Sequence, residues 1–335
     1  MLDKNLILKS TWSDKVANDP KHRPQFWNKP STTVRREWCR RPQEAHIGEP
    51  ENKRYRRLSV AEIAVLQGFP YDAVDVEGIS EIDKIAALGN AVPPIIGKIF
   101  QDTLLEYHSF EHNTIVDICA GIGGLSMYMR KFKHIALIEM WPIACDILRT
   151  KAEFWDINSV YEIKVEAFDF NKLKGVGILC GGPPCQPWSL AGEQKGVSDE
   201  RDLLSMTPRI IAECEPEVFL FENVPGLVSS NKNNGYFGKL LENLSTPRDG
   251  LEYGVGYVSL NLADYGLPQI RKRIFILGVK NHSFMHVEQI LSTVETKKTH
   301  SNNKTTGLLP WVTLKEALNG IPNNEVWRQW NIIKD

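Results

Sequence analysis

The stretch Ile115-Val-Asp-Ile-Cys-Ala-Gly-Ile-Gly-Gly-Leu125 decides the fold. Ile115–Ile118 has the apolar, β-branched character of a strand, and it runs directly into a turn carrying glycines 121, 123 and 124. Such glycines let the backbone turn tightly and leave room for a nucleotide-like ligand beside exposed N–H groups. The turn is expected to open a helix over Gly124–Lys131. Working outward, short apolar runs at Ile135–Glu139, Val176–Cys180, Val218–Glu222, Val255–Asn261 and Arg273–Lys280 alternate with helical stretches at Pro142–Glu153 and Leu203–Cys214. Strands alternating with helices predict an α/β fold, a mostly parallel sheet with helices on both faces. Ligands in such folds collect beyond the C-terminal strand ends.

The bulk numbers set the frame. The 335 residues suit two unequal domains, and 42% hydrophobic with 24% charged residues is ordinary globular composition. Net charge is −1, so a nucleic-acid partner has to be argued locally. From Lys21 to Arg57, eleven Lys/Arg stand against four acids, interleaved with Trp27, Trp38 and Tyr55. That pattern suits a nucleic-acid surface, and it equally describes a solvated basic face. The segments 1–57 and 281–335 read as irregular, and His108–His112 as a polar connector. No apolar run approaches the ~18–20 residues that span a membrane, and Met1–Leu6 leads into polar sequence rather than a signal-peptide core. Six cysteines without a C-x-x-C pair indicate neither a disulfide framework nor a metal site. A cytoplasmic protein, prokaryotic or phage-encoded, is the expectation.

Three further blocks carry chemistry. Gly181-Gly-Pro-Pro-Cys-Gln-Pro-Trp-Ser189 places a thiol on a stiff loop after a strand, as a nucleophile requires. Glu222-Asn-Val-Pro-Gly226 ends a buried-looking strand with a carboxyl group able to engage a ring nitrogen. Arg271 and Arg273 flank a strand start, and alternation predicts that they share a face, where two guanidiniums would hold a phosphate and a base carbonyl. Glu139, at the end of the second strand, is placed to accept hydrogen bonds from a ribose diol.

Taken in order, Asp117–Leu125, Gly181–Ser189, Phe221–Leu227 and Ala263–Arg273 resemble four core motifs of the cytosine-C5 DNA methyltransferases. Arg57–Pro70 looks like the family's motif framing the recognition domain, and Gly89-Asn-Ala-Val-Pro-Pro94 looks like its last motif, followed by a helix at 89–108. Those two normally follow the others, so the resemblance implies a circular permutation with the usual ends joined near 101–113. Trp311–Pro322 and Pro30–Val34 resemble segments near the entry to and exit from the variable region.

The resemblance implies a Rossmann-like S-adenosylmethionine-dependent methyltransferase domain over 76–279, and a smaller target-recognition domain from 1–75 with 280–335. Cys185 would attack cytosine C6, Glu222 would engage N3 and the exocyclic amine, Arg273 would bind O2, and Arg271 would support the site. S-adenosylmethionine, leaving as S-adenosylhomocysteine, would lie against Asp117, Cys119, Ala120, Gly121, Ile122, Gly123, Gly124, Leu125, Glu139, Met140, Trp141, Gly182, Pro184, Leu204, Asn90 and Ala91. Either Glu166 or Asp169 would bind the adenine amine. Gln186, Ser189, Arg35, Arg36, Arg40 and Arg41 would contact DNA. Departures from the family pattern are Met140 where an aromatic is common, Gly177 where an acid is common, and Ala61 and Val65 in place of arginines. The implied partner is double-stranded DNA with a GGCC-containing site, no membrane and no metal. The enzyme would act as a monomer, in a restriction–modification setting with an endonuclease that does not contact it. An RNA or tRNA cytosine methyltransferase shares the core motifs. An inactive DNA-binding subunit would keep the fold, although Cys185, Glu222 and Arg273 are all present.

Overall fold

The computed structural model describes residues 25–40, 44, 46–49, 54–185, 202–228, 235–303 and 307–321. These fall into two compact units, one formed by 1–93, 262–271 and 299–335, the other by 94–261 and 272–298.

In the first unit, β1 (Gln25–Phe26) pairs parallel with β2 (His46–Glu49), which pairs antiparallel with β3 (Arg54–Arg57). Helix α1 (Val60–Leu66) begins at a capping box in which Ser59 and Glu62 satisfy each other's backbone N–H groups. Helix α2 (Glu81–Asn90) follows, N-capped by Ser80. The buried Gln269 side chain knits distant segments together. Its Nε2 donates to Leu66 O (2.9 Å) and Gln67 Oε1 (2.8 Å), while its Oε1 accepts from Val34 N (2.8 Å).

The second unit is the sheet expected from the strand–helix alternation. Helix α3 (Pro94–Tyr107) precedes β4 (Thr114–Ile118), β5 (Lys133–Glu139), α4 (Pro142–Arg149), β6 (Val160–Glu162) and β7 (Ile178–Gly181). Then come α5 (Thr207–Cys214), β8 (Val218–Asn223), α6 (Tyr236–Ser245), β9 (Tyr253–Asn261), β10 (Lys272–Lys280) and α7 (Phe284–Thr296). The strand order is β6-β5-β4-β7-β8-β10-β9, parallel except that β10 runs antiparallel to both β8 and β9. Sequence order reverses between β4 and β7, which puts the ligand crevice of this architecture at their C-terminal ends. Every residue of β8 is buried, as a central strand covered on both faces requires. Phe100 of α3 meets Phe275 at 5.3 Å between ring centroids, and Phe237 of α6 meets Tyr257 at 4.9 Å. Because Tyr257 pairs with Ile276, the neighbour of Phe275, these helices cover opposite faces. The first unit is completed by the pair β11 (His300–Ser301) and β12 (Leu309–Pro310), and by α8 (Leu314–Leu318), begun by a Thr313–Glu316 capping box.

Three expectations change. Gly124–Lys131 is a series of turns, with Met127 N bonded to Gly123 O (2.9 Å) and Met129 N to Ser126 O (2.8 Å). The stretch after 280 is not irregular, since α7 buries Val287, Ile290, Leu291 and Val294 at helical spacing. The helix expected at 89–108 starts at Pro94, and Gly89 and Asn90 belong to α2. The connector 108–112 is anchored: Glu217 accepts from Glu111 N (2.9 Å) and His112 N (2.8 Å), and Phe110 packs edge-on against Phe132. Residues 76–93 and 262–271 cluster with the first unit, and 280–298, which include α7, with the second.

Candidate active site

The loop after β4 is shaped by its glycines and by one carboxylate. Gly121 and Gly123 have φ of 55° and 79°, where a side chain is strained, and Cys119 tolerates φ 51° beside them. The loop is packed from outside by α3, where a Cβ on Gly97 would lie 1.8 Å from Leu125 O. Glu139 Oε2 accepts from Gly121 N (2.8 Å), and its Oε1 accepts from Met140 N (2.9 Å) and Trp141 N (2.8 Å). A carboxylate has about four acceptor sites. Three are spent, one on the loop after β4 and two on the turn that leaves β5, and one on Oε2 is left for a hydroxyl. Asp117 is buried at the end of β4, and that burial, with the Glu139 charge adding to it, pushes its carboxyl up to about 7. Met140 is exposed, offering an apolar surface beside the loop. Ala120, Ile122 and Leu125 are buried beneath it.

Glu166 and Asp169 are both exposed. Asp169 caps a short turn through Asn171 N (3.3 Å), whereas Glu166 lies near Cys119, whose thiol is raised by burial first and then by the charges of Glu139, Asp117 and Glu166. This carboxylate, diol-accepting and apolar set fits a nucleoside-bearing ligand.

The Pro-Pro-Cys loop leaves β7 at the neighbouring strand end. Pro183 O accepts from Asn223 Nδ2 (3.0 Å) and Pro184 O from Leu203 N (3.1 Å). Cys185 pairs through its backbone with Asp202 as an isolated antiparallel bridge. The thiol is 5% exposed, and burial, with the Asp202 carboxylate adding to it, pushes it up to about 12. Leu204 is fully buried in the core cluster that also holds Cys185, rather than presented to a ligand. Gly182 and Pro184 are half-buried, and Gln186 and Ser189 lie outside the described residues.

Glu222 closes β8 and meets Arg273 of β10, with Arg273 Nε 2.7 Å from Glu222 Oε1. The register explains the pair. Glu222 is opposite Phe275, and Arg273 lies two residues along the same face. Arg271 does not share that face, because β10 begins at Lys272. Arg271 is buried in the first unit, donating to Val34 O and Ala91 O (3.0 Å each), and is a structural clamp rather than a phosphate ligand. Ala91 is buried there and Asn90 is exposed. Arg36 and Arg40 are exposed, Arg35 pairs with Glu44, and Arg41 lies outside the described residues.

Reading the sequence missed Asn223, Asp202 and Tyr236. Asn223 was readable as the partner of a Glu-Asn-Val strand end. Asp202 and Tyr236, whose hydroxyl donates to Asp202 Oδ2 at 2.6 Å, are 34 positions apart and carry no local signal. Among the described residues no cluster of His, Cys, Asp or Glu suits a metal ion, and no helix is long and apolar enough to cross a membrane.

Comparison with known proteins accords with this geometry. The chain is 37% identical over 170 residues to the Type II methyltransferase M.NgoMIV of Neisseria gonorrhoeae, covering 50% of this chain and 52% of that protein. It is 34% identical over 221 residues to M.NgoFVII of the same organism, covering 63% and 54%. It is 34% identical over 181 residues to M.AquIA of Picosynechococcus sp., covering 49% and 71%. The chain thus spans about half the length of the two Neisseria relatives. The family model for C-5 cytosine-specific DNA methylases matches residues 7–105 and 113–335, and the chain belongs to that family.

Proposed function

We propose that this chain is an S-adenosylmethionine-dependent methyltransferase acting on C5 of cytosine in double-stranded DNA. One observation carries the reading: the Cys185 loop is tied through Asn223 to the same strand end that presents the Glu222–Arg273 pair. A nucleophile and a polar clamp for a heterocycle are thereby fixed against each other.

Cytosine C5 is a weak nucleophile, and bonding of Cys185 sulfur to C6 drives the ring's electron pair toward C5. Glu222 holds N3 and the exocyclic amine, and Arg273 holds Glu222 in place and reaches O2. Pro183 and Pro184 stiffen the loop, so the sulfur is held near attack distance. When bound, S-adenosylmethionine supplies an electrophilic methyl group. Glu139 would accept from a ribose hydroxyl on its remaining lone pair, Met140 would lie against the adenine, and Glu166 or Asp169 would accept from its amine. The target base must leave the stack, at roughly a few kcal/mol, and phosphate contacts from the exposed Arg36 and Arg40 offset that cost.

The first unit is assigned to target recognition and the sheet unit to catalysis. Circular permutation is part of this reading. The Gly89–Pro94 block and α3 precede β4, yet Gly97 of α3 packs against the loop that follows β4. The relatives are named Type II methyltransferases, which supports a restriction–modification role in a bacterial cytoplasm. A GGCC-containing site and a monomeric state complete the proposal. The test is transfer of labelled methyl groups to unmethylated duplex DNA and to tRNA, with Cys185→Ala as control. Transfer to duplex DNA that the substitution abolishes supports the reading. Transfer to tRNA alone, or retained transfer by the variant, overturns it.

A further inference from the structure

Forming the S–C6 bond requires the Cys185 thiol to lose its proton, and the residues assigned above provide no acceptor for it. Asp202 is 6% exposed, and its backbone bridge with Cys185 puts the two side chains side by side. The Asp202 carboxylate and the Tyr236 hydroxyl both act on the thiol, the first raising its hold on the proton and the second lowering it. Asp202 Oδ2 is occupied by that hydroxyl at 2.6 Å, whereas Oδ1 is buried and takes no hydrogen bond. Leu203 N, bonded to Pro184 O at 3.1 Å, locks the Asp202 backbone to the nucleophile loop. A buried acceptor oxygen with unused capacity is costly unless function uses it.

We propose that Asp202, oriented by Tyr236, is the general base that takes the Cys185 proton as sulfur bonds to C6. This rests on the methyltransferase reading above. In the step, the S–H bond breaks and an O–H bond forms on the carboxylate. The S–C6 bond forms with the sulfur electron pair, and the C5–C6 π pair moves toward C5. After methyl transfer a water molecule takes the C5 proton, its bonding pair re-forms the C5–C6 double bond as the S–C6 bond breaks, and the released sulfur recovers the proton held on Asp202. Before attack the thiol holds its proton far more tightly than a carboxylate does, since burial and the Asp202 charge push it up to about 12. Once bonded to carbon, sulfur holds it far more weakly. A carboxylate lies between these limits, which is the condition for proton transfer concerted with attack rather than preceding it. Among the described residues, Asp202 and Tyr236 are the titratable groups acting on the thiol.

The experiment uses the full chain and two readouts. Alkylation of Cys185 by iodoacetamide is followed across pH by peptide mass, and methyl transfer is measured on unmethylated bacterial genomic DNA. Asp202→Asn removes the charge that suppresses the thiolate, so the alkylation midpoint should fall by about one pH unit. Methyl transfer should fall on the order of a hundredfold. Tyr236→Phe should move alkylation the opposite way, because its hydroxyl favours the thiolate, and should slow transfer severalfold. This variant keeps the test open if Asp202→Asn does not fold. Transfer unchanged in Asp202→Asn, or an unmoved alkylation midpoint, overturns the assignment. For Tyr236→Phe, unchanged transfer or faster alkylation does the same. Wild-type protein inactive on DNA overturns the methyltransferase reading itself, and the inference with it.

Discussion

Removing one partner of the Glu222–Arg273 pair should cost far more than removing both. The charged atoms are 2.7 Å apart, and the side chains are 14% and 11% exposed, so solvent screens them little. Breaking a buried pair by deleting one charge costs about 3–5 kcal/mol, because the other remains desolvated without its partner. The remaining exposure puts Arg273→Met near the lower end, about 3 kcal/mol. In the double variant Glu222→Gln with Arg273→Met no buried charge is left, and about 2 kcal/mol of that loss should return. The assay is urea unfolding of wild type, both single variants and the double variant at pH 8, read as a double-mutant cycle. A coupling energy under about 0.5 kcal/mol would refute the reasoning, since that is the value of an exposed pair.

Two further outcomes follow from the packing. Gly97→Ala places a methyl group 1.8 Å from Leu125 O, so the loop after β4 must shift by more than an ångström. S-adenosylmethionine affinity, measured by calorimetry, should fall about tenfold or more, as misplacement of that size does, and unchanged affinity would separate α3 from the loop. His134 is buried beside Ser126 O, and burial pushes it down to about 4 from its ordinary 6.5. The stability it contributes is therefore complete above pH 6.5 and is lost as pH falls toward 4, by about 3 kcal/mol. Asp117 works in the opposite sense over an overlapping window, its contribution fading as pH rises through about 7. The test is accordingly the difference between wild type and His134→Gln from pH 7.5 to 4, and a flat difference would contradict the assignment.

Much of this was legible from the sequence because the parallel strands are covered on both faces. Ile115–Ile118 and Val218–Glu222 must be almost wholly apolar, and continuous apolar runs announce themselves. β6 escaped notice because Tyr161 and Glu162 are exposed at the sheet edge. Leu125, Ser126, Met127 and Met129 mimic a helix, but all four are buried under a loop whose glycines set the backbone instead. Helix α7 was readable from the spacing of Val287, Ile290, Leu291 and Val294. The alternation rule misplaced Arg271 because it applies only inside the strand, and the strand begins one residue later. Contacts such as Tyr236 with Asp202, or Gln269 with Val34, are created by the fold and leave no trace in local sequence.

The central claim is that Cys185 bonds to the base, and one measurement addresses it directly. Duplex DNA carrying 5-fluorocytosine is incubated with the protein and S-adenosylmethionine, then resolved under denaturing conditions and mapped by peptide mass. Fluorine at C5 cannot leave as a proton, so the adduct should persist, with the DNA attached to the peptide bearing Cys185. Cys185→Ala should yield no such species. A methylated product without any adduct, or an adduct on another residue, would contradict the account.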